Sequence, residues 1–253
     1  MLNKLKLFDS HFHIINHQFP LIENNGFLPD EYTCEDYAES TSSYDICGGA
    51  IISGSFQHYD QSYLIDALKK LGNKFVGVTQ LPLSVSDQEI IDLDKSGVRA
   101  VRFNIMRGGS EDIKHLTSMA HRIYDLAQWH VELYVDSLNL PDLYDTLLSL
   151  PSVSIDHLGL NEGGLTTIKR LIENNVRLKA TGFGRVNFNV KEVLLELYSI
   201  NPAALMFGTD LPSTRAPRKY EDNDYLLVIE SLGLDAAENI FSKNAISFYH
   251  PNE

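Results

Sequence analysis

The chain has 253 residues, of which 43% are hydrophobic, and this is enough to bury one large core of the size found in single-domain α/β barrels. Its formal net charge is -13 at pH 7, from 34 acidic and 21 basic residues. Because no cluster of Lys or Arg with interleaved aromatic residues is present, we expect no nucleic acid partner and no binding to membranes.

Cysteine content and the N-terminal residues bear on the compartment. Cys34 and Cys47 are too few for a disulfide framework and are not spaced like metal ligands. The opening stretch MLNKLKLFDS becomes polar too soon for a signal peptide, and no apolar run reaches the ~18 residues of a membrane span. We therefore predict a cytoplasmic protein, and the sequence leaves open whether it forms a homo-oligomer.

The first predicted strand, LKLFDSHFHI (5–14), carries two histidines one residue apart. Side chains alternate between the faces of a strand, so Asp9, His11 and His13 are expected to share one face. One histidine there would be read as a satisfied core residue. Two histidines beside a carboxylate indicate a candidate site.

Seven more apolar, β-branched segments follow, separated by helical patterns. Ser86 to Glu89 forms a capping box before a helix that ends near Gly97, another helix ends at Gly72, and Pro141 fits a first helical turn. Eight strand-helix units predict one (β/α)8 TIM-type barrel over 1–253. The alternative, an open doubly wound sheet, is less favoured because no Gly-rich phosphate loop follows the first predicted strand. The longest connection, 14–48, is expected to carry a lid-like loop before its helix. The seven segments are 48–54, 74–81, 98–105, 131–137, 152–159, 176–182 and 204–212.

A barrel places its active site at the carboxyl ends of the strands, and polar residues collect there in this sequence. Asp156 and His157 alternate in direction, so only one of them is expected to enter the barrel mouth. Ile155 shares the parity of His157 and is expected inside the barrel, which favours His157. The other polar strand ends are His11, His13, Arg102, Asn104, Tyr134, Asp136 and Asp210.

Four motifs in the order DSHFH, VRFN, IDHLG and GTDLP, with AENIFSKNAISFYH near the end, give the chain a family resemblance. The whole chain resembles the amidohydrolase superfamily in its amidohydrolase 2 branch. Within that branch it is most similar to the 2-pyrone-4,6-dicarboxylate lactonase group and related sugar lactonases.

The resemblance implies a role for each matching residue. Asp210 matches the strand-eight general base that takes a proton from the attacking water. His11, His13 and His157 match histidines that surround the scissile carbonyl, where they either bind a divalent metal or polarise the carbonyl directly. The resemblance implies a hydrolysis in two steps. Water attacks the ring carbonyl, and protonated Asp210 then returns its proton to the leaving oxygen.

The metal ligands of two-metal superfamily members are incomplete here. A lysine near the fourth strand and a histidine on the fifth are missing from RFNIM and VELYVDS, so a binuclear site is not expected. The lactonase group points to catalysis with no required metal. The alternative is one divalent ion such as zinc, held by His11, His13, His157 and Asp210.

Arginines suggest an anionic substrate. Arg102 and Arg185 match anion-binding positions of the lactonase group, and Arg107 lies one residue away from the spacing of a third. Ser55 and Tyr134 are weaker substrate-binding candidates. Arg215 and Arg218 either line the pocket or lie outside it.

The predicted function is hydrolysis of a small lactone or pyrone that bears carboxylates or hydroxyls. One alternative is a zinc-dependent decarboxylase of aromatic or muconate-type acids, and another is a hydrolase of esters or phosphoesters. The alternative from a different class is a non-catalytic barrel that binds a small anion.

Overall fold

The computed structural model describes residues 5–252 and shows an eight-stranded parallel sheet with strands in sequence order. Each strand is followed by a helix, so the predicted (β/α)8 barrel is confirmed. All eight predicted segments contain a strand, and every strand ends before the carboxyl end of its predicted segment. The strands are β1 (Lys6–Phe12), β2 (Asp45–Ile52), β3 (Phe75–Thr79), β4 (Val98–Asn104), β5 (His130–Tyr134), β6 (Val153–Ile155), β7 (Arg177–Ala180) and β8 (Leu205–Phe207).

Helix ends follow the predicted local signals. Ser86 caps the helix at Asp87–Lys95, with its side chain accepting from the amide of Glu89, and Gly97 follows in the left-handed region with φ of 100°. Gly72 ends the helix at Ser62–Leu71, and Pro141 lies in the first turn of the helix at Leu140–Ser149. The α-helices within residues 5–252 are α1 (Cys34–Ser40), α2 (Ser62–Leu71), α3 (Asp87–Lys95), α4 (Leu116–Ala127), α5 (Leu140–Ser149), α6 (Leu165–Glu173), α7 (Val190–Ile200), α8 (Asp222–Leu232), α9 (Leu234–Glu238) and α10 (Asn244–Tyr249). None of the helices in this range is long and apolar enough to cross a membrane.

The barrel closes where the chain beyond β8 meets β1. The amide of Asp210 donates to the carbonyl of His11 over 2.7 Å, and the amide of His13 donates to the carbonyl of Leu211 over 2.8 Å. This ladder excludes the open-sheet alternative. It also places Asp210 beside the two histidines of the first strand.

The barrel interior changes from apolar to charged along its axis. Phe8, Val76, Val78 and Met206 pack in a buried cluster that Tyr249 of α10 joins from the amino-terminal side. The hydroxyl of Tyr249 donates to Glu132 Oε1 over 2.5 Å, which begins a polar layer above the apolar one.

Lys179 and Glu132 form the centre of this polar layer. Both side chains are fully buried, and Lys179 Nζ lies 2.5 Å from Glu132 Oε2 and 3.5 Å from Asp156 Oδ1. Glu132 also lies 3.1 Å from His130 Nε2. Opposite charges buried in this way stabilise each other, because a buried charge without a partner carries a large desolvation free energy.

The first connection, where a lid-like loop was predicted, contacts the loops after β2, β4 and β8 before the chain enters α1. Asn24 and Phe27 form a two-residue hairpin around Asn25 and Gly26, which both have positive φ, at 52° and 74°. The amide of Ile22 donates to the carbonyl of Phe56 in the loop after β2. The strand β2 begins at Asp45, three residues before the predicted start at Gly48.

Removing one partner of the buried Lys179–Glu132 pair should destabilise the barrel. We expect Glu132→Gln to lower the free energy of unfolding by about 3 kcal/mol, because among the described residues the Lys179 ammonium keeps only the more distant Asp156 as an anionic partner. Urea unfolding measures this change. As a matched control, Asp92→Asn breaks the exposed pair with Lys95 and should cost less than about 1 kcal/mol; equal losses would contradict the assignment.

Candidate active site

The predicted site residues meet in one pocket at the carboxyl ends of the strands. His13, His157, Arg102 and Arg185 line it, and His11 and Asp210 lie beneath them with almost no exposed surface. The remaining predicted residues that line this pocket are Ser55, Arg107 and Tyr134.

His11 and His13 turn inward as predicted, but Asp9 does not join them. Asp9 accepts from the amide and hydroxyl of Thr209 and from the hydroxyl of Tyr37, which belongs to α1. The pairing register of β1 is irregular between Asp9 and Phe12, so simple alternation fails there. The prediction that Asp9 shares the histidine face is therefore wrong, and its carboxylate instead fixes the chain after β8.

The expectation that only one of Asp156 and His157 enters the mouth is also wrong. The strand β6 ends at Ile155, which packs in the helix-facing core, and Asp156 points inward to Arg102. His157 then has φ of 53°, and this left-handed turn brings its ring to the pocket as well. Its centroid lies 4.7 Å from that of His11 and 5.0 Å from that of Tyr134.

Asp210 has one oxygen engaged and one free. Arg185 Nε donates to Oδ2 over 2.7 Å. Burial by itself would lower the pKa of this arginine, but the charge and hydrogen bond of Asp210, together with Tyr134, raise it. The other oxygen, Oδ1, is buried with no hydrogen-bond partner among residues 5–252 and lies 3.9 Å from His11 Nε2 and 4.0 Å from His13 Nε2. The carboxylate is thus oriented with a free oxygen toward the histidines.

The Nε2 atoms of His11 and His13 face the same point beside Asp210. His13 Nδ1 lies 2.7 Å from the carbonyl of Ile52, which can only accept, so Nδ1 carries the proton and Nε2 has a lone pair. Asp156 Oδ1 lies 3.4 Å from His11 Nδ1 and Lys179 Nζ lies 3.5 Å from the same nitrogen, so a carboxylate and an ammonium both face that side of the His11 ring. Burial lowers the pKa of His11 and holds those of His13 and His157 well below the ordinary value, which keeps the rings neutral.

This arrangement fits a single divalent cation. Ligand atoms of His11, His157 and Asp210 lie within 4.8 Å of one another. Within the described part of the chain, His11 Nε2, His157 Nδ1 and Asp210 Oδ1 are all buried without hydrogen-bond partners. Two nitrogens and one oxygen form a suitable ligand set for zinc, and Asp156 behind His11 is the kind of outer partner that orients a metal ligand. His130 of β5 lies away from this group, bonded to Glu132.

Two of the predicted anion-binding arginines are already paired with carboxylates. Arg102 donates to Asp156 Oδ2 through Nε and Nη2, at 3.1 and 2.7 Å, and Arg185 is bound to Asp210. Arg107 and Arg215 line the pocket without a carboxylate partner among residues 5–252. Arg218 is directed elsewhere and pairs with Asp224 at 2.7 Å.

The sequence prediction missed the layer that holds His11 from below. Although burial alone would raise it, Arg102 and Lys179 hold the pKa of Asp156 well below its usual range. Lys179 Nζ also lies 3.5 Å from His11 Nδ1. A charged residue within the strand segment VRLKATG was the available signal, since an inward lysine in a buried strand needs an anionic partner.

Comparison with known proteins identifies the family of the chain. Residues 8–250 match the amidohydrolase family model. The chain belongs to the amidohydrolase family. It is 29% identical over 156 residues to a 2-pyrone-4,6-dicarboxylate hydrolase of Comamonas testosteroni, a match that covers 60% of this chain and about half, 51%, of that relative. It is 24% identical to a 4-sulfomuconolactone hydrolase of Rhizobium radiobacter, with 90% of this chain and 84% of the relative covered.

Solved structures share the fold across the whole barrel. A crystal structure of an Agrobacterium tumefaciens protein superimposes with a TM-score of 0.85 at 17% identity, covering 97% of this chain and 96% of that one. A probable 2-pyrone-4,6-dicarboxylic acid hydrolase of Acinetobacter baumannii, with citric acid bound, has a TM-score of 0.83 at 19% identity, covering 96% and 99%. At these identities the similarity shows the fold of the amidohydrolase barrel.

Buried neutral histidines should make stability depend on pH. Burial lowers the pKa of His11, His13, His130 and His157, so below about 6.5 the unfolded chain binds protons that the folded chain does not. Stability is therefore complete above that pH and falls below it, by up to about 1.4 kcal/mol per pH unit for each histidine.

Urea unfolding with a chelator present, compared between about pH 7.5 and about pH 5.5, measures this loss. His157→Asn should show a smaller loss than wild type because one titrating group is gone. The exposed His121 serves as the control, and His121→Asn should keep the wild-type profile. Identical profiles for all three proteins would contradict the assignment.

Proposed function

We propose that this protein is a hydrolase that opens the ring of a small lactone or pyrone with a water activated by Asp210. The observation that carries the proposal is the carboxylate of Asp210, fixed through Oδ2 by Arg185 and presenting an unpartnered Oδ1 among His11 and His13. The names of the Comamonas and Rhizobium relatives support a lactone or pyrone as the substrate.

The reaction follows from the acceptors at the centre. A water at this point can donate one hydrogen to Asp210 Oδ1 and the other to an imidazole lone pair, which leaves its oxygen lone pair directed at the ring carbonyl. As the oxygen-carbon bond forms, Asp210 takes the proton. The ring carbon-oxygen bond then breaks, Asp210 returns the proton to the leaving oxygen, and the product is an opened acid.

A cation is compatible with this site through His11, His157 and Asp210. When bound, a divalent ion such as zinc would polarise the carbonyl and acidify the attacking water. His13, the fourth predicted ligand, is not part of this group, and its Nε2 lies 4.0 Å from Asp210 Oδ1. Asp156 and the carbonyl of Ile52 orient His11 and His13 whether or not an ion is present.

The remaining pocket residues orient the substrate. The ring of Tyr134 packs against that of His157, and the guanidinium carbon of Arg102 lies 5.1 Å from the Tyr134 ring centroid. The phenol ring and the guanidinium thus form one wall of the pocket beside the proposed position of the carbonyl. Ser55 is buried at the pocket edge, where its hydroxyl can bind a ring substituent. The expected partner is therefore a small anionic lactone, and we keep the cytoplasm as the proposed compartment for a chain with two free cysteines.

The rival functions are less favoured. The relatives with matching sequences are named as hydrolases, which argues against a zinc-dependent decarboxylase. A silent anion-binding barrel would have no need for a carboxylate oxygen buried without a partner beside neutral imidazoles, because such an atom is costly to retain.

Replacing the general base should abolish turnover. Asp210→Asn keeps the shape of the side chain but removes the proton acceptor, so we expect kcat for a hydrolysed lactone to fall by at least about a thousandfold. Ring opening is followed by absorbance, and thermal unfolding checks the fold. Asp235→Asn, at an exposed carboxylate of α9, should retain wild-type kcat, whereas retained turnover in Asp210→Asn would overturn the mechanism.

Metal binding can be measured separately from activity. We expect metal-free protein to bind one zinc ion with a rise in Tm, and His157→Asn or Asp210→Asn to lose that binding, while His121→Asn keeps it. Binding of equal strength in all variants would place the ion elsewhere. Activity after chelator treatment then tests the sequence prediction that no metal is required, and loss of activity on chelation would contradict it.

A further inference from the structure

We propose that Lys179 is a positioning residue, which holds His11 in the tautomer with its hydrogen on Nε2 so that this ring donates to the carbonyl oxygen of the substrate. Lys179 is fully buried beneath the pocket and does not line it. The proposal rests on the function above, since the oxygen to be stabilised is that of a lactone carbonyl. It assigns a part in the reaction to a side chain that the substrate does not touch.

The strand β7 directs Lys179 into the centre of the barrel. Its two neighbours in the strand pack in the helix-facing core, so alternation turns the lysine inward. Its ammonium nitrogen lies 2.5 Å from Glu132 Oε2, 3.5 Å from Asp156 Oδ1 and 3.5 Å from His11 Nδ1. The short contact with Glu132 uses one of the three ammonium hydrogens, which leaves two for other acceptors.

The contact between Lys179 and His11 decides which ring nitrogen carries the hydrogen. An ammonium group can only donate, so a hydrogen bond from Lys179 Nζ requires a lone pair on His11 Nδ1. Asp156 Oδ1 lies 3.4 Å from the same nitrogen, yet it has no hydrogen-bond partner within residues 5–252. The geometry therefore favours the lysine as the partner of Nδ1, and the hydrogen of the neutral ring is then on Nε2.

The acceptors around the ammonium group indicate the same tautomer. If His11 Nδ1 carried the hydrogen, Lys179 would keep only the oxygens of Glu132 and Asp156 as acceptors in the described part of the chain. Its third hydrogen would then face a ring N–H, and a buried donor without an acceptor lowers stability. With the ring hydrogen on Nε2, each of the three ammonium hydrogens faces an acceptor.

Nε2 of His11 faces the proposed reaction centre. It lies 3.9 Å from Asp210 Oδ1, and neither atom has a hydrogen-bond partner among residues 5–252. This distance is too long for a direct hydrogen bond, but it fits an oxygen atom that lies about 2.8 Å from both. His13 presents a lone pair at its own Nε2, 4.0 Å from the same carboxylate oxygen. The two histidines therefore offer different groups, a donor from His11 and an acceptor from His13.

The donor and the acceptor serve different oxygens of the reaction. The attacking water gives its hydrogens to Asp210 Oδ1 and His13 Nε2, while the lactone carbonyl oxygen accepts from His11 Nε2. As the water oxygen bonds to the carbonyl carbon, negative charge develops on the carbonyl oxygen and this hydrogen bond strengthens, whereas the hydrogen stays on His11. An ion bound at Nε2 would need the other tautomer, for which Asp156 Oδ1 is the nearby acceptor.

Nitrogen NMR of protein labelled at its histidine rings measures the tautomer directly. In chelator-treated wild type at about pH 8, where buried rings are neutral, we expect His11 Nε2 to give the signal of a protonated nitrogen and Nδ1 that of an unprotonated one. His11→Asn removes these signals and so assigns them. A hydrogen on Nδ1 of His11 in wild type would overturn the proposal, and this measurement needs no variant of Lys179.

The double variant Lys179→Met with Glu132→Gln removes the lysine without leaving a buried charge unpaired, because Asp156 keeps Arg102. Compared with Glu132→Gln alone, which keeps Lys179, we expect the hydrogen of His11 to move to Nδ1. We also expect kcat for a hydrolysed lactone to fall by about tenfold or more, with KM within about threefold. A lysine with a structural role alone would lower Tm without moving the hydrogen, so an unchanged tautomer or an unchanged kcat would contradict the assignment.

Lys95→Met provides the matched control. Lys95 is exposed at the end of α3, pairs with Asp92 and lies outside the pocket, so its substitution removes the same charge without touching the barrel centre. We expect wild-type kcat and the wild-type tautomer, and a fall in kcat as large as that of the double variant would overturn the proposal.

The two measurements distinguish failure of this inference from failure of the proposed function. If no lactone is hydrolysed but the hydrogen of His11 moves in the double variant alone, the control of the tautomer by Lys179 stands and the proposed reaction is wrong. If lactones are hydrolysed and the hydrogen does not move, the proposed reaction stands and the role of Lys179 is wrong.

Discussion

The closure of the barrel between β1 and the chain after β8 is the constraint on which the site depends. The Asp210 amide bonds to the His11 carbonyl, so the proposed base and the first histidine are held by one backbone contact. Asp9 strengthens the closure by accepting from Thr209, and Gly208 permits it, because a Cβ at that position would lie 2.6 Å from the amide nitrogen of His11. The distance between the Asp210 carboxylate and the His11 ring is therefore set by backbone pairing rather than by flexible side chains.

The charged layer beneath the pocket holds the histidines in place. Lys179, Glu132 and Asp156 are buried together, and their desolvation is compensated because each charge has an opposite neighbour. Removing one of them would therefore disturb the others, including Asp156 beside His11. The barrel thus keeps its imidazoles neutral by burial and oriented by fixed charges, which is a rigid arrangement suited to repeated proton transfer.

The fold was predictable from sequence because its signals are local and repeated. The β-branched segments specify the strands, and signals such as the cap at Ser86 and the stop at Gly72 delimit the helices. Because eight strand-helix units result, the count predicts that the sheet closes into a barrel. The site was only partly predictable, because side-chain direction depends on where regular structure ends. The side chain of Asp156 enters the pocket because strand alternation directs it inward, and that of His157 enters because His157 has a left-handed backbone conformation. Neither the end of β6 at Ile155 nor the register irregularity after Asp9 has a clear sequence signal. The Asn25-Gly26 turn in the lid did have one, since this dipeptide is typical of tight hairpins.

The pairing of arginines with carboxylates was beyond the sequence for a further reason: residue type alone does not reveal whether a charge is already neutralised. Arg102 and Arg185 occupy positions that motif resemblance associates with substrate, yet both are bound to buried carboxylates. Arg107 and Arg215, which motifs identify poorly or not at all, keep their charge at the mouth. In a chain of net charge -13, such a local excess of positive charge is where an anionic substrate would be attracted.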